Sequence, residues 1–247
     1  MPLDVIVVGA GIAGLFTAIA LSAHGHHVTV LEKQPTHEAA GGPIGLQPGA
    51  VRVMKAYGLG ETFSKNLRQG PEDTWYWRRL LSDMPATERY LWRVSEVSPL
   101  PTWVSKSGRV VILGDAAHAM VPFAAQGASQ CVEDAGALAE CLSRHDEADI
   151  PKLLRIFEMI RKPRAESTAA RSAARRVMYH LPNGPEQQAR DGKMKRQVQS
   201  YEPDRKVWNG EHIDEPPDIN SPLHDPYLMG HDVIDYAKRV LNRQLRK

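Results

Sequence analysis

Two cysteines, Cys131 and Cys141, are all that 247 residues contain. Both fall in one expected helix, far apart along its axis. They read as reduced structural thiols of an intracellular chain, not as a disulfide framework. Net charge is almost as scarce, and a formal +2 creates too little long-range field to point to a particular partner. Internal repeats are missing. Charges are missing from residues 5–23, a run long enough to imitate a membrane span. A secretory signal would place Lys or Arg before that run, whereas its flank here is Asp4. Gly9, Gly11 and Gly14 punctuate it as a buried strand, turn and helix would be punctuated. The expectation is a cytoplasmic chain without a membrane span.

What is present is ordinary for a soluble globular protein: 42% hydrophobic and 24% charged residues, in a length suited to one large domain or two smaller ones. Residues 4–8 are a β-branched run with the composition of a buried parallel strand. Ile12, Leu15, Phe16 and Ile19 follow at helical spacing up to a stop at Gly25, and residues 28–31 form a second strand ending at Glu32. Together they make one βαβ unit with a right-handed crossover. Residues 41–49, GGPIGLQPG, must be loop, and a short helix over 50–57 ends near Gly58. Residues 69–103 hold Trp75, Trp77, Trp92 and Trp103 without a clean period. A further buried strand is expected over 109–113. Next comes a helix over 130–142 with Val132, Ala135, Leu138, Ala139 and Leu142 on one face, and then a helix over 152–178 that Pro163 should kink or interrupt. From 182 to 226 Gly, Pro, Gln and charges dominate, and the segment reads as irregular. Basic residues prevail between Arg161 and Lys206 and acidic ones between Glu211 and Asp235. Opposite blocks this close compensate each other, so no nucleic-acid binding is expected.

The pattern Gly9-x-Gly11-x-x-Gly14 has a mechanical basis at each position. Gly9 permits the tight turn off the strand, Gly11 lets a pyrophosphate approach the backbone, and Gly14 lets the helix pack closely on the sheet. The helix start offers unsatisfied N–H groups and a positive dipole to the phosphates. Glu32, at the end of the next strand, would accept hydrogen bonds from a ribose 2′-hydroxyl and repel a 2′-phosphate. The site should therefore take the adenosine ribose of FAD or NAD and not of NADP.

A second motif, GRVVILGDAAHAM from Gly108 to Met120, ends its strand at Gly114-Asp115 and so puts a carboxylate where ligands sit in open α/β sheets. Pro122-Phe123-Ala124-Ala125-Gln126-Gly127-Ala128 then leads into a helix, and backbone N–H groups at such a turn can face the electron-rich edge of a flavin. With these pieces the chain resembles the FAD-dependent aromatic-hydroxylase (group A) family of flavoprotein monooxygenases, most of all its salicylate-hydroxylase-like members. The resemblance rests on GAGIAGL with Glu32, on LQPGAVRVMKAYGL at 46–59 and on residues 108–142. The ending YLMGHD at 227–232 resembles that of fungal members.

The resemblance implies an α/β, Rossmann-type (GR2-like) FAD-binding domain. Gly9, Gly11, Ala13, Gly14, Glu32 and Lys33 are expected to hold the ADP part. Arg52 should reach toward the phosphate–ribityl region, Asp115 should bind the ribityl or pyrophosphate portion, and Pro122, Gly127 and Ala128 should line the isoalloxazine. It also implies NADH or NADPH as reductant, oxygen as co-substrate, and an aromatic or polyketide-like small molecule as the compound hydroxylated, in fungal secondary metabolism. A homodimer is one assembly such an enzyme could take. No catalytic side chain can be named. His118 reads as part of its turn, His24, His26 and His27 are loop residues with no acidic cluster, and His224 and His231 are isolated, so no metal is expected.

One departure from the family is large. The interval between Gly60 and Gly108 is too short for the remaining FAD strands, a middle Asp-Gly motif and the β-sheet substrate domain, which is therefore largely missing. The expected division is an N-terminal part of the FAD-binding domain over 1–70 and a remnant of the substrate domain over 71–107. The C-terminal part of the FAD-binding domain with its helix follows over 108–181, and an irregular tail with a short terminal helix over 182–247. A smaller departure is Ala125, where many members carry Gly. An exposed flavin loses its activated oxygen to water. The open face would need Trp75, Trp77, Trp92 and Trp103, the tail, or a partner subunit as its cover. The alternatives to a monooxygenase are a flavin-binding remnant with a different or weak redox activity and a non-catalytic partner protein.

Overall fold

Short β-branched runs cannot stand alone and must pair, and the first two do. Strand β1 (Asp4–Val8) and strand β2 (His27–Leu31) lie parallel, with Val5 opposite Val28 and Val7 opposite Val30. Helix α1 (Ile12–Ala23) makes the crossover. The computed structural model describes residues 1–35, 44–61, 94–146, 148–199, 215–221 and 223–246. Among them this is the only sheet.

Both strands alternate between exposed and half-buried residues instead of being buried throughout, which corrects the sequence expectation. Ile6 is 67%, Val8 83% and Leu31 52% exposed. The physical reason is that a parallel sheet is buried on both sides only when helices cover both. Here α1 packs on the sheet, and the face bearing Ile6 and Val8 stays open.

The run 109–113 is likewise not a strand of that sheet. It folds back on residues 103–105 as a small hairpin with an antiparallel bridge between Val104 and Val111. Ser105 N donates to Val110 O at 2.9 Å and Ile112 N to Trp103 O at 3.0 Å. Gly108, at φ +67°, makes the turn, and Val110 is left 61% exposed. With no further strand beside it among the described residues, the β-branched run pairs with the nearest extended segment.

Helix α2 (Pro48–Ala56), with Pro at its start, buries Gly49, Ala50, Val53 and Met54. The short helix α3 (Asp115–His118) and a single 3-10 turn at Pro122–Ala124 lead into α4 (Gly127–Leu142). The one-faced pattern expected of α4 understates it, for every residue from Ser129 to Leu142 is buried. Its Ala and Gly residues let neighbours come close on all sides: a Cβ at Gly136 would lie 2.9 Å from Val53 Cγ1. Helix α5 (Ile150–Tyr179), capped by Asp149 accepting from Lys152 N at 2.9 Å, runs unbroken through Pro163. The interruption expected there does not occur. Buried Arg161, Arg164 and Ala165 hold the helix on both sides of the proline, so packing offsets the missing donor.

The carboxyl-terminal region departs most from expectation. Residues Pro185–Gln199 form α6, and α7 (His224–Gly230) and α8 (Val233–Leu245) are part of the core. Val233, Ala237, Val240 and Leu241 form one buried stripe, and Asp232 caps α8 by accepting from Ile234 N and Asp235 N, both at 3.1 Å. Cys131 and Cys141 are free and buried, and burial raises both thiols above their ordinary range, so neither is a reactive thiolate. No helix among the described residues is long and apolar enough to cross a membrane.

Candidate cofactor site

Gly9 sits at φ +103°, a conformation few side chains tolerate, and its N–H donates to Leu31 O at 2.7 Å, tying the turn to the end of β2. A Cβ on Gly9 or Gly11 would meet nothing within 4 Å among the described residues, which leave the space above the turn open to a ligand. At Gly14 the opposite holds: a Cβ would lie 2.0 Å from Gly9 O, because α1 packs directly against the turn. Gly11 caps α1 without a side-chain bond, leaving the first N–H groups of the helix free of a side-chain cap. Glu32 folds over the turn. Its Oε2 accepts from Ala10 N at 2.7 Å and its Oε1 from Gln34 N at 2.9 Å, and the residue remains exposed. The carboxylate thus ties the glycine turn to the end of β2. Lys33 is exposed beside it.

The second motif meets the first through Ala13. Gly114, at φ +60° and ψ −147°, would place a Cβ 2.6 Å from Ala13 Cβ and 3.4 Å from Cys131 Sγ, so only glycine lets this turn touch both α1 and α4. Asp115 follows it, exposed, its carboxylate making no hydrogen bond among the described residues. The third piece is the turn before α4. Ala125 adopts a left-handed conformation, φ +51° and ψ 38°. Gln47 N donates to Ser129 Oγ at 2.9 Å and Gln47 Nε2 to Ala125 O at 3.2 Å, joining α2 to this turn. Gln126 is 1% exposed, and neither its amide oxygen nor its nitrogen has a partner among the described residues. Pro122 is exposed, while Gly127 and Ala128 form the half-buried start of α4. An L-residue in this backbone well costs about 1–2 kcal/mol, while glycine adds backbone entropy to the unfolded chain. Ala125→Gly is therefore expected to leave stability unchanged or to raise it by up to about 1 kcal/mol, read as the urea midpoint at constant slope.

Arg52 Nη2 donates to Met229 O at 2.7 Å and His231 O at 2.8 Å, so this side chain also clasps the end of α7. Trp103 is 3% exposed, its ring 6.3 Å from that of Phe157 and 5.5 Å from that of His118. It belongs to the core and cannot cover a flavin. Trp75, Trp77 and Trp92 lie outside the described residues.

Sequence reasoning missed a buried charge cluster behind the second motif. Asp134 Oδ2 accepts from Gly114 N at 2.8 Å and pairs with His118 Nε2 at 2.6 Å, while its Oδ1 accepts from Arg161 Nε at 2.8 Å. Glu133 receives Arg161 Nη1 at 2.9 Å and Arg164 Nε at 2.7 Å, and Arg164 also donates to Leu228 O at 3.1 Å. Burial alone would raise the Glu133 carboxyl, but Arg164 and Arg161 outweigh it and hold it at about 2. Burial acts the same way on Asp134, and there His118 and Arg161 prevail, again holding it at about 2. His231, buried against Tyr227 at 5.4 Å between ring centroids, is pushed down by desolvation and then by Arg164, and stays neutral. The signal was available: Glu133-Asp134 are adjacent acids in a helix rich in small residues, and Arg161 and Arg164 lie one turn apart on the next. Among the described residues no cluster could hold a metal ion.

An open glycine cradle, an unengaged carboxylate and an orphaned buried amide define a dinucleotide-binding flavoprotein fold, and the residues present fit FAD. Comparison with known proteins agrees. Residues 4–129 match the FAD dependent oxidoreductase family and residues 101–172 an FAD binding domain. The chain belongs to the FAD dependent oxidoreductase family. It is 34% identical over 169 residues to the FAD-dependent monooxygenase OpS4 of Beauveria bassiana (strain ARSEF 2860), covering 68% of this chain and 36% of the relative. It is 39% identical over 109 residues to the 3-amino-4-hydroxybenzoate 2-monooxygenase PtmB3 of Streptomyces platensis, covering 44% and 27%. The chain thus spans about a third or less of the length of the curated relatives it matches. Two solved structures share the fold. One is FqzB, at TM-score 0.68 and 18% identity over 99% of this chain and 94% of that one. The other is Klebsiella pneumoniae HpxO complexed with FAD and uric acid, at TM-score 0.63 and 14% identity over 81% and 93%.

Proposed function

We propose that this chain holds FAD across its two glycine motifs as the cofactor of a monooxygenase that hydroxylates an aromatic or polyketide-like small molecule, with NADH or NADPH as reductant. The observation that carries the reading is the junction at Ala13 and Gly114, which sets the open glycine turn beside the unengaged Asp115. Gly9, Gly11, Ala13 and Gly14 would present the backbone of α1 to the pyrophosphate, with Glu32 on the adenosine ribose, Lys33 nearby, and Asp115 on the ribityl hydroxyls. Pro122, Gly127 and Ala128 would border the ring system, and the Gln126 amide would find the partner it lacks among the described residues. When bound, FAD supplies electron transfer and oxygen activation, and the protein's share is orientation and exclusion of water.

The same reading keeps the chain in the cytoplasm, acting without nucleic acid, with a homodimer as its assembly. It also keeps the boundaries 1–70, 71–107, 108–181 and 182–247. A second reading is a flavin-binding remnant or a non-catalytic partner protein. It is favoured by the open sheet face at Ile6, Val8 and Leu31, which lacks a second layer among the described residues. Flavin absorbance of the purified chain, followed by anaerobic addition of NADH and then NADPH, separates the two. The expected result is a yellow protein bleached by one of them. A yellow protein that neither bleaches leaves the second reading, and a chain that cannot be reconstituted with FAD overturns both flavin readings.

A further inference from the structure

The turn that presents Asp115 is too short to hold its own shape. Helix α3 has four residues, and a single helical turn has an unfavourable free energy by itself. It is entered through Gly114 in a conformation that only glycine populates readily, and Gly114 is buried. Both of its ends are nevertheless fixed by one atom. Asp134 Oδ2 accepts from Gly114 N at 2.8 Å, just before Asp115, and from His118 Nε2 at 2.6 Å, at the end of the turn. Arg161 Nε holds the other oxygen at 2.8 Å, so the carboxylate cannot rotate away. Arg161 is in turn fixed by Glu133 at 2.9 Å and by Gln130 Oε1 at 2.6 Å. All of these side chains are buried, where charge-assisted bonds are short and strong.

We infer that Asp134, braced by Arg161, is a positioning residue for cofactor binding, which sets the Gly114–Asp115 turn and so aims the Asp115 carboxylate at the ribityl side of FAD. The inference rests on the proposed function. It extends that reading inward from the residues that would touch FAD to a group that never does. His118 acts in the same device as the far clamp of the turn, which accounts for a histidine beside Gly-Asp without any part in proton transfer.

The test is a comparison of FAD and ADP binding to the full chain by titration calorimetry, since ADP needs only the first glycine motif. Asp134→Asn keeps the shape, but its single acceptor oxygen cannot serve both the turn and Arg161. The expected result is an FAD Kd about tenfold weaker, the scale lost when an outer support of a ligating group is removed. ADP affinity should stay within about twofold. In an Asp115→Ala background the same change should add little, because the group being aimed is gone. An unchanged FAD Kd, or FAD and ADP weakening together, overturns the inference. If Asp134→Asn does not fold, His118→Gln decides, because it leaves the Arg161–Asp134 pair intact. An FAD-selective loss supports the inference and unchanged FAD binding overturns it. A wild-type chain that binds neither FAD nor ADP overturns the proposed function and this inference with it. Wild-type binding with indifferent variants overturns the inference alone.

Discussion

Replacing Arg161 with methionine is expected to lower the free energy of unfolding by about 3–5 kcal/mol at neutral pH, the cost of removing one partner from a buried ion pair. The side chain is fully buried and its guanidinium is shared among Asp134 Oδ1, Glu133 Oε2 and Gln130 Oε1 at 2.6 to 2.9 Å. Glu133 would keep Arg164, at 2.7 Å. Asp134 would keep only His118 and Gly114 N, so most of the penalty falls on that carboxylate. Its sign with pH can be worked out. Glu133 and Asp134 titrate at about 2 in the fold against 4.5 and 3.8 without it, so both carboxyls are depressed. Their contribution is present above the unfolded values and is lost as pH falls through the window from about 4.5 to about 2. Arg161→Met removes part of that depression at Asp134. The gap between wild type and variant should therefore shrink on acidification across the same window. Urea unfolding followed by circular dichroism at pH 7 and pH 3 measures both quantities. A variant within about 1 kcal/mol of wild type at pH 7 would show that the cluster is not held as its geometry implies.

What could be read from the sequence was what is local. The glycine spacing, the β-branched runs on either side and Glu32 are close in sequence, so their meaning does not depend on distant neighbours, and β1, α1 and β2 fall where they are expected. Gly114-Asp115 could be read for the same reason. The run 109–113 could not, because whether a β-branched segment enters a sheet depends on strands elsewhere in the chain, and its bridge to Val104 is set by the Gly108 turn. The burial of α4 on every side is a property of α1, α2, α5 and α8 together, and no periodicity within α4 records it.

Arg52 illustrates the limit for site residues. Its spacing from Pro48 fixes its place on α2, yet the carbonyls of Met229 and His231 that its Nη2 meets belong to a segment about 180 positions away. Residues 185–199 are a different case. They lack an apolar stripe, but Glu, Gln, Ala, Arg, Lys and Met are strong helix formers, so propensity carried a signal that the hydrophobic period did not.

Gly14→Ala should weaken nucleotide binding by on the order of a hundredfold, and the reason lies in where the clash falls. A Cβ at this position would sit 2.0 Å from Gly9 O, 3.1 Å from Gly9 C and 3.3 Å from Val7 Cγ1. The first two are backbone atoms of the phosphate turn itself, so no rotamer change relieves the contact, and α1 must move off the turn by more than an ångström. Alanine gains about 1 kcal/mol of helix propensity over glycine, which is smaller than the cost of about 1–3 kcal/mol or more for forcing an atom into a packed site. The displacement does not stay local, since the neighbouring Ala13 is already the surface on which Gly114 rests. Both motifs should lose their alignment, weakening FAD and ADP alike by on the order of a hundredfold, the scale of a 1 Å misplacement. Gly11→Ala is the matched control. A Cβ there meets nothing within 4 Å among the described residues, so thermal stability should be unchanged while the methyl group blocks approach of the pyrophosphate. Loss of ADP binding with a lowered melting temperature in Gly14→Ala, and with an unaltered one in Gly11→Ala, would separate a cradle broken from behind from one filled from the front. Wild-type ADP affinity in Gly14→Ala would mean that the first glycine motif does not carry the nucleotide.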